Sequence, residues 1–298
     1  MKRLVLFLAT NAAVLLVLSV VMNVLGVDQW LYRENVNLNL NALLVFCAVF
    51  GMGGSFVSLA LSKWMAKTFM GVRTLDRPST EREKWLIATV RQLSSKAGIG
   101  MPEVGVFAAD APNAFATGMS RDNALVAVST GLLERMGPDE VEAVLGHETT
   151  HIANGDMVTM GLLQGVVNTF VLFLARIVGY IVDRSLFGDE RGMGAGYFIA
   201  TIVAQLFLSV LATLIVMAFS RRREYRADAG GARLAGRQNM IAALRQLQLA
   251  HDSPDLQGGL AAFGISGKTG GEGLRRLFMS HPPIEERIAA LEQAASAP

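Results

Sequence analysis

Read for its apolar and polar positions, the chain divides into long uncharged runs separated by stretches of mixed character. Residues 4–27 carry no charge, and neither do residues 42–62. Each run is about as long as the ~20 residues a helix needs to cross a bilayer core. Both are therefore expected to span a membrane rather than fill a soluble core. The first follows Lys2 and Arg3, exceeds the apolar length of a secretion signal and has no clear small-residue cleavage site, so it reads as an uncleaved signal anchor. In the second, Gly51, Gly54, Ser55 and Ser58 supply small side chains at spacings that let helices approach closely. Two later runs are less uniform. Residues 158–182 include Gln164, Asn168 and Arg176, whereas 197–219 include only Gln205 among strongly polar side chains. An arginine inside a span must snorkel or face a polar interior. The third run is thus either a span or half of a sheltered hairpin, and spanning is the preferred reading.

Between the runs the period changes. "EREKWLIATVRQLSSKA" (81–97) has the spacing of an amphipathic helix, stopped by Gly98. "EVGVF" (103–107) and "ALVAVS" (124–129) read as short strands, and a strand from about Asn113 to Thr117 is expected to pair with the latter across "MSRDN". "PDEVEAVLGHETTHIANG" is a punctuated helix: Pro138 suits the first position, Asp139 and Glu140 suit the positive end of the dipole, and Asn154-Gly155 suit the stop. Residues 252–273 are rich in Gly and Ser and read as a flexible loop.

The predicted architecture is a mainly α membrane protein, with about four transmembrane helices and a cytoplasmic α+β domain built on a small sheet. Its parts are a two-span anchor (1–62), a first cytoplasmic segment (63–157), a third and fourth span (158–219) and a second cytoplasmic segment (220–298). The two cytoplasmic segments are expected to fold together, because neither alone buries much core.

Composition agrees: 52% of residues are hydrophobic and only 17% charged, against about a quarter charged in soluble proteins. A net charge of +2, without basic stretches interleaved with aromatics, gives no sign of nucleic-acid binding. The single cysteine, Cys47, excludes an internal disulfide and reads as a buried, inert thiol. Basic residues flank the runs on one side: Lys2 and Arg3; Lys63, Lys67, Arg73 and Arg77; Arg221, Arg222, Arg223 and Arg226. By the positive-inside rule these segments, and both termini, face the cytoplasm.

Candidate chemistry is concentrated in "GHETTHIANGD" (146–156). On a helix His147 and His151 share a face and can offer imidazole nitrogens to one metal ion. Glu148 lies beside that face, where its carboxylate can reach a water. The pattern alone can arise by chance, with two histidines pairing locally. A hydrolytic zinc site needs a third protein ligand. Glu224 and Asp228, four apart in "RRREYRADAGGARLAG", can supply that ligand and a hydrogen-bond acceptor for a ligating histidine. The competing reading is a basic topogenic cluster whose acids are counter-charges.

"HETTHIANGDM", "PNAFATG", "RRREYRADAGGARL" and "SHPPIEERIAAL", in that order, resemble the HtpX-type family of bacterial membrane zinc metalloproteases, relatives of the CAAX prenyl proteases and of the mitochondrial quality-control protease Oma. The resemblance runs over nearly the whole chain. It implies a zincin-like domain holding one Zn2+ through His147, His151 and Glu224, with Glu148 as general base and Asp228 behind a ligand. It also implies an inner-membrane endopeptidase that degrades damaged or misfolded membrane proteins in envelope stress, with other membrane proteases or chaperones as candidate partners. Gly146, Thr149 and Thr150 depart from the Ala and the apolar-Ser pair such proteins show there. None is a ligand, but Gly and Thr lower helix propensity.

Two further sites follow by physical argument and analogy. Asn113, Ala114, Phe115 and Ala116 could receive an extended peptide by strand addition, unless that edge is covered. His281 could stabilise a tetrahedral oxyanion; Arg287 could do the same or pair with Asp228; surface or packing roles are open for both. His251 lacks companions and reads as solvent-exposed. An intramembrane protease is disfavoured by Asn154-Gly155-Asp156, which separate the motif from the next apolar run. A non-enzymatic scaffold with structural zinc is disfavoured by Glu148, since structural sites have four protein ligands and no adjacent base.

Overall fold

The computed structural model describes residues 20, 39–187, 194–252 and 276–296. Nearly all of the first apolar run, the stretch 253–275 and the side chain of His251 lie outside the described residues. In chain order the elements are helix α1 (Leu40–Phe69), strand β1 (Arg73–Thr74), helix α2 (Glu81–Ala97) and strands β2 (Glu103–Phe107), β3 (Ala114–Ser120) and β4 (Asn123–Ser129). Helices α3 (Thr130–Arg135), α4 (Pro138–Asn154), α5 (Asp156–Phe187), α6 (Ala195–Ala235), α7 (Arg237–Asp252) and α8 (Ile284–Ser296) follow. Among the described residues α1, α5 and α6 are long and apolar enough to cross a membrane.

The chain forms two compact units. One comprises Met1–Ser58 and Met160–Val216. Here Cys47 is fully buried among Leu40, Leu44, Phe173 and Ile177. Gly51 is needed for a close approach: a Cβ there would lie 2.6 Å from the Thr169 backbone nitrogen. Ser55 donates to the Gly161 carbonyl at 2.8 Å. Gly54 and Ser58, expected to pack in the same way, are instead exposed. The run 158–182 lies within α5, an unbroken 32-residue helix. Arg176 is accommodated there by donating to the Leu172 carbonyl at 3.0 Å and by lying 5.3 Å over the Phe46 ring.

The second unit comprises Leu59–Thr159 and Met217–Pro298. Its four-stranded sheet has the order β1-β2-β4-β3. β2 and β4 pair in parallel, from Glu103 opposite Leu125 to Phe107 opposite Ser129, and β1 and β3 add antiparallel edges. β3 runs on to Ser120, beyond the Thr117 expected from sequence, through an irregularity at Gly118. Gly118 takes φ 137°, and a Cβ there would meet the Asn123 carbonyl at 2.3 Å.

β4 is buried on both faces, as befits a central strand. Ala124, Val126 and Val128 join the main core with Leu86, Val90 and Leu93 of α2, Leu145 and Ile152 of α4, Met240 and Leu244 of α7, and Leu291 of α8. Leu125 and Ala127 face a smaller cluster with Val72 and Phe107. α2 begins at a reciprocal Thr80–Glu83 capping box and ends at Gly98 in the left-handed region, φ 65°. α4 begins at Pro138 and ends at Gly155, φ 72°.

Candidate metal centre

Two helices build the site. α4 carries His147, Glu148 and His151; α6 carries Glu224 and Asp228 beyond its apolar part. They meet through glycine: a Cβ on Gly231 would lie 3.0 Å from the His147 backbone nitrogen, and one on Gly230 would lie 2.2 Å from Thr150 Cγ2. Such close contact between helix backbones lets side chains on neighbouring turns converge.

His147 Nε2 and His151 Nε2 face each other at 3.1 Å. Glu224 Oε2 lies 3.4 Å from His147 Nε2, and Oε1 lies 3.4 Å from His151 Nε2. One ligand atom from each of the three residues fits within 4.8 Å of the others. Glu224 is fully buried; its Oε1 makes no hydrogen bond among the described residues and lies 3.3 Å from Arg223 Nη2. Two opposed imidazole nitrogens can share only one proton, and a buried carboxylate oxygen without a hydrogen bond is expensive. A cation with affinity for nitrogen and oxygen resolves both, so the donor set fits a metal ion, and its two nitrogens and one carboxylate suit zinc.

Each histidine has an acid behind it. His151 Nδ1 is hydrogen-bonded to Asp156 Oδ2 at 2.7 Å, whereas His147 Nδ1 lies 2.9 Å from Asp228 Oδ1 in a close contact too misaligned for a hydrogen bond. Asp228 is in turn held by Arg287, whose Nε and Nη2 donate at 2.8 and 2.6 Å. Burial alone would lower the His147 pKa, but Asp228 and Glu224 overcome it and raise it. Burial also opposes charge on His151, yet Asp156 and Glu224 raise it to about 9. Burial would raise Glu224, but His147, His151 and His281 hold it far below the usual carboxylate range. Asp228, against the same burial, is lowered by Arg287 and His147.

Asp156 is the functional neighbour that the sequence reading missed. It stands inside "GHETTHIANGD", but there it served only as punctuation after the helix stop. An acid one residue beyond a helix-ending glycine can fold back onto the last turn, and that placement was the available signal.

The remaining candidates divide. His281 is half-exposed, and its Nδ1 lies 2.6 Å from Glu224 Oε2, so in this structure it touches the candidate third ligand. Arg287 is buried and engaged with Asp228. A cleft of about 620 Å³ opens beside the three converging side chains; His147, Glu148, Asn113, Ala114, Met240 and His281 are among the residues that line it. Phe115 does not line it and instead packs against Phe107, with ring centroids 5.5 Å apart. Ala116 packs against the main core. Strand alternation sends Phe115 to the face opposite Ala114, whereas Ala116 shares the face of Ala114 and lies further along the strand.

The departures at Gly146, Thr149 and Thr150 leave α4 continuous. Thr150 donates to the Gly146 carbonyl at 2.8 Å and fills the space over Gly230. Tertiary packing thereby offsets the lower propensity.

Residues 80–295 match the family model described as peptidase family M48. The chain is 61% identical over 292 residues to "Protease HtpX" of Thioalkalivibrio sulfidiphilus, covering 98% of this chain and 99% of that protein. It is 58% identical over 294 residues to "Protease HtpX homolog" of Nitrosomonas europaea, covering 99% and 100%. The crystal structure of S. mikatae Ste24p shares the fold at a TM-score of 0.60 and 19% identity, over 98% of this chain and 67% of that one.

Proposed function

The chain belongs to peptidase family M48 and is a membrane metallopeptidase; from that premise we propose that it is a zinc-dependent endopeptidase of the bacterial inner membrane. On this reading it cleaves damaged or misfolded membrane proteins on the cytoplasmic side, in envelope-stress quality control. The observation that carries the proposal is the convergence of His147, His151 and Glu224, with His147 and Glu148 lining an open cleft.

His147, His151 and Glu224 would hold the ion, with Asp228 and Asp156 fixing the orientation of the two imidazoles. When bound, zinc supplies Lewis acidity, making water a nucleophile near neutral pH and polarising the scissile carbonyl. Glu148 takes the proton from the attacking water and delivers it to the departing amine. His281, at the cleft wall, donates to the oxygen on which negative charge develops. β3 is an edge strand, and its start at Ala114, with Asn113 just before it, lines the cleft. The N–H and C=O of Asn113 are engaged with Ser129, so an extended peptide can add through the main chain of β3 itself, with little sequence preference. That suits unfolded segments as substrates, delivered by or shared with other membrane proteases or chaperones. The cytoplasmic orientation rests on the basic clusters after residues 62 and 219.

Zinc stoichiometry and casein cleavage, measured on purified wild type, Glu148→Ala and Glu224→Ala, test the proposal. Wild type should hold one zinc and cleave, Glu148→Ala should keep the zinc without cleaving, and Glu224→Ala should lose both. Equal cleavage by wild type and Glu148→Ala, or no cleavage by zinc-loaded wild type, would overturn it.

A further inference from the structure

The basic cluster "RRREYR" (221–226) supports the orientation of the chain, but one of its arginines is also engaged at close range. Arg221 Nη1 lies 3.2 Å from the Arg276 carbonyl oxygen, 3.0 Å from that of Leu277 and 3.0 Å from that of Met279. These carbonyls end the stretch that leads into His281. On α6, Arg221, Glu224 and Asp228 fall at spacings of three and four, so they share one helical face. That face presents, in succession, a cation to the backbone before His281, the carboxylate that His281 touches, and the carboxylate that Arg287 grips.

His281 is half-exposed, and its one described side-chain hydrogen bond is to Glu224. A ring with so little packing is placed by its backbone. Downstream, Pro282 and Pro283 lead into α8, which Arg287 fastens to α6. Upstream, the described side-chain hydrogen bonds from α6 to 276–279 are those made by Arg221; Arg276 also donates to Glu286 of α8 at 3.5 Å, and Tyr225 of α6 donates to the same Glu286 at 3.2 Å. Those outer contacts are exposed, as are the Arg221 bonds to the Arg276 and Leu277 carbonyls, whereas the bond to the Met279 carbonyl is part-buried.

We propose that Arg221 is a positioning residue: it clamps the 276–279 carbonyls so that the His281 ring stays beside Glu224 and the cleft. The proposal rests on the reading of His281 as the oxyanion donor, and it assigns Arg221 a task that net positive charge cannot perform. Arg222, the adjacent residue in the same cluster, is exposed and serves as the matched control.

The test uses full-length, zinc-loaded protein and a fluorogenic casein substrate, with kcat, KM and metal content read for Arg221→Gln, Arg221→Lys, Arg222→Gln, His281→Ala and the Arg221→Gln/His281→Ala double variant. A displacement of about 1 Å in a catalytic group can reduce rate by roughly 100-fold. Arg221→Gln is therefore expected to lose about 10- to 100-fold in kcat, with KM and zinc content unchanged. Arg221→Lys, which retains a cation with three donors, should fall between it and wild type. Arg222→Gln should match wild type, and the double variant should be no slower than His281→Ala alone.

Additive losses in the double variant, an equal loss in Arg222→Gln, or full activity in Arg221→Gln would each overturn the proposal. If Arg221→Gln does not accumulate as folded, zinc-loaded protein, the Lys variant decides: a loss in kcat that persists in the His281→Ala background assigns Arg221 to general stability and overturns the positioning role. If His281→Ala alone cleaves like wild type, the oxyanion reading falls and this proposal falls with it, while the zinc-peptidase assignment, tested through Glu148 and Glu224, stands.

Discussion

Gly230 of α6 lies so close to Thr150 of α4 that a Cβ on the glycine would meet Thr150 Cγ2 at 2.2 Å and Oγ1 at 2.5 Å. This contact sets the separation of the two helices that bring Glu224 to the histidines. Gly230→Ala should therefore destabilise by about 1–3 kcal/mol, the usual range for overpacking, and weaken metal retention. A second change, Thr150→Ala, removes the two nearest atoms but leaves Cβ at 2.9 Å, and should recover part of both losses. Thermal melting and metal content of the single and double variants check this; a Gly230→Ala protein with unchanged melting and metal content would refute the gauge.

The start of α2 gives a pH signature remote from the metal centre. Glu83 is drawn down to about 2, first by Arg73, whose Nη2 lies 2.6 Å from Oε1, and then by the backbone and hydroxyl of Ser79. Its folded pKa is depressed below the ordinary 4.5, so its contribution is present above 4.5 and is lost as pH falls towards 2. Glu83→Gln should therefore lower the melting temperature at pH 7 and converge with wild type in strong acid. A difference between the two that stays constant from pH 7 to pH 2 would contradict the assignment.

If substrate joins the β3 edge through main-chain bonds, side-chain identity there should matter less than backbone chemistry. Asn113→Ala should change kcat/KM by only a few-fold, whereas N-methylation of a substrate amide that pairs with β3 should remove about 1–3 kcal/mol, the penalty for an unmet buried group. A peptide series with methylation walked along the chain would locate the pairing residues. Uniform tolerance at every position would argue against strand addition.

Local punctuation was the most legible part of the molecule. Pro138 and Gly155 bound α4, Gly98 ends α2, and β2 has the limits its five residues suggested, because each of these is decided by the residues themselves. The parallel pairing of β2 with β4 was not legible, since it depends on β3 turning back outside β4 and not on any local signal. The same distinction runs through the candidate site. His147, His151 and Glu224 could be singled out because donor type and spacing are written in the sequence. Asp156 offered only its place just past the Gly155 stop, and the Arg221 contacts offered nothing, because their partners are fixed by how the stretch before α8 returns to the site.

The two acids behind the histidines offer the sharpest comparison, because they are matched in one respect and unequal in another. Asp156 is hydrogen-bonded to His151 Nδ1 at 2.7 Å, and Asp228 lies 2.9 Å from His147 Nδ1 as an ionic contact, so each acid stands behind one imidazole and replacing either by Asn weakens its orientation. Loss of such a partner typically reduces metal affinity by about 10- to 100-fold, and both variants should show it in competition with a zinc chelator. Asp228, however, also neutralises Arg287, which is 7% exposed. Asp228→Asn leaves that guanidinium buried without its counter-charge, a change that destabilises by about 3–5 kcal/mol when one partner of a buried pair is removed. Asp156→Asn removes the acid that holds a proton on buried His151, but that imidazole can shed its proton, whereas Arg287 stays charged. The prediction is therefore similar loss of zinc affinity in the two variants but a large fall in melting temperature only for Asp228→Asn, measured on chelator-treated protein so that metal binding does not mask the difference. Adding Arg287→Met should return most of the lost stability to Asp228→Asn, because the buried charge is then gone. Equal melting temperatures for the two Asn variants, or no recovery from Arg287→Met, would show that the Asp228–Arg287 pair does not carry the load its geometry implies.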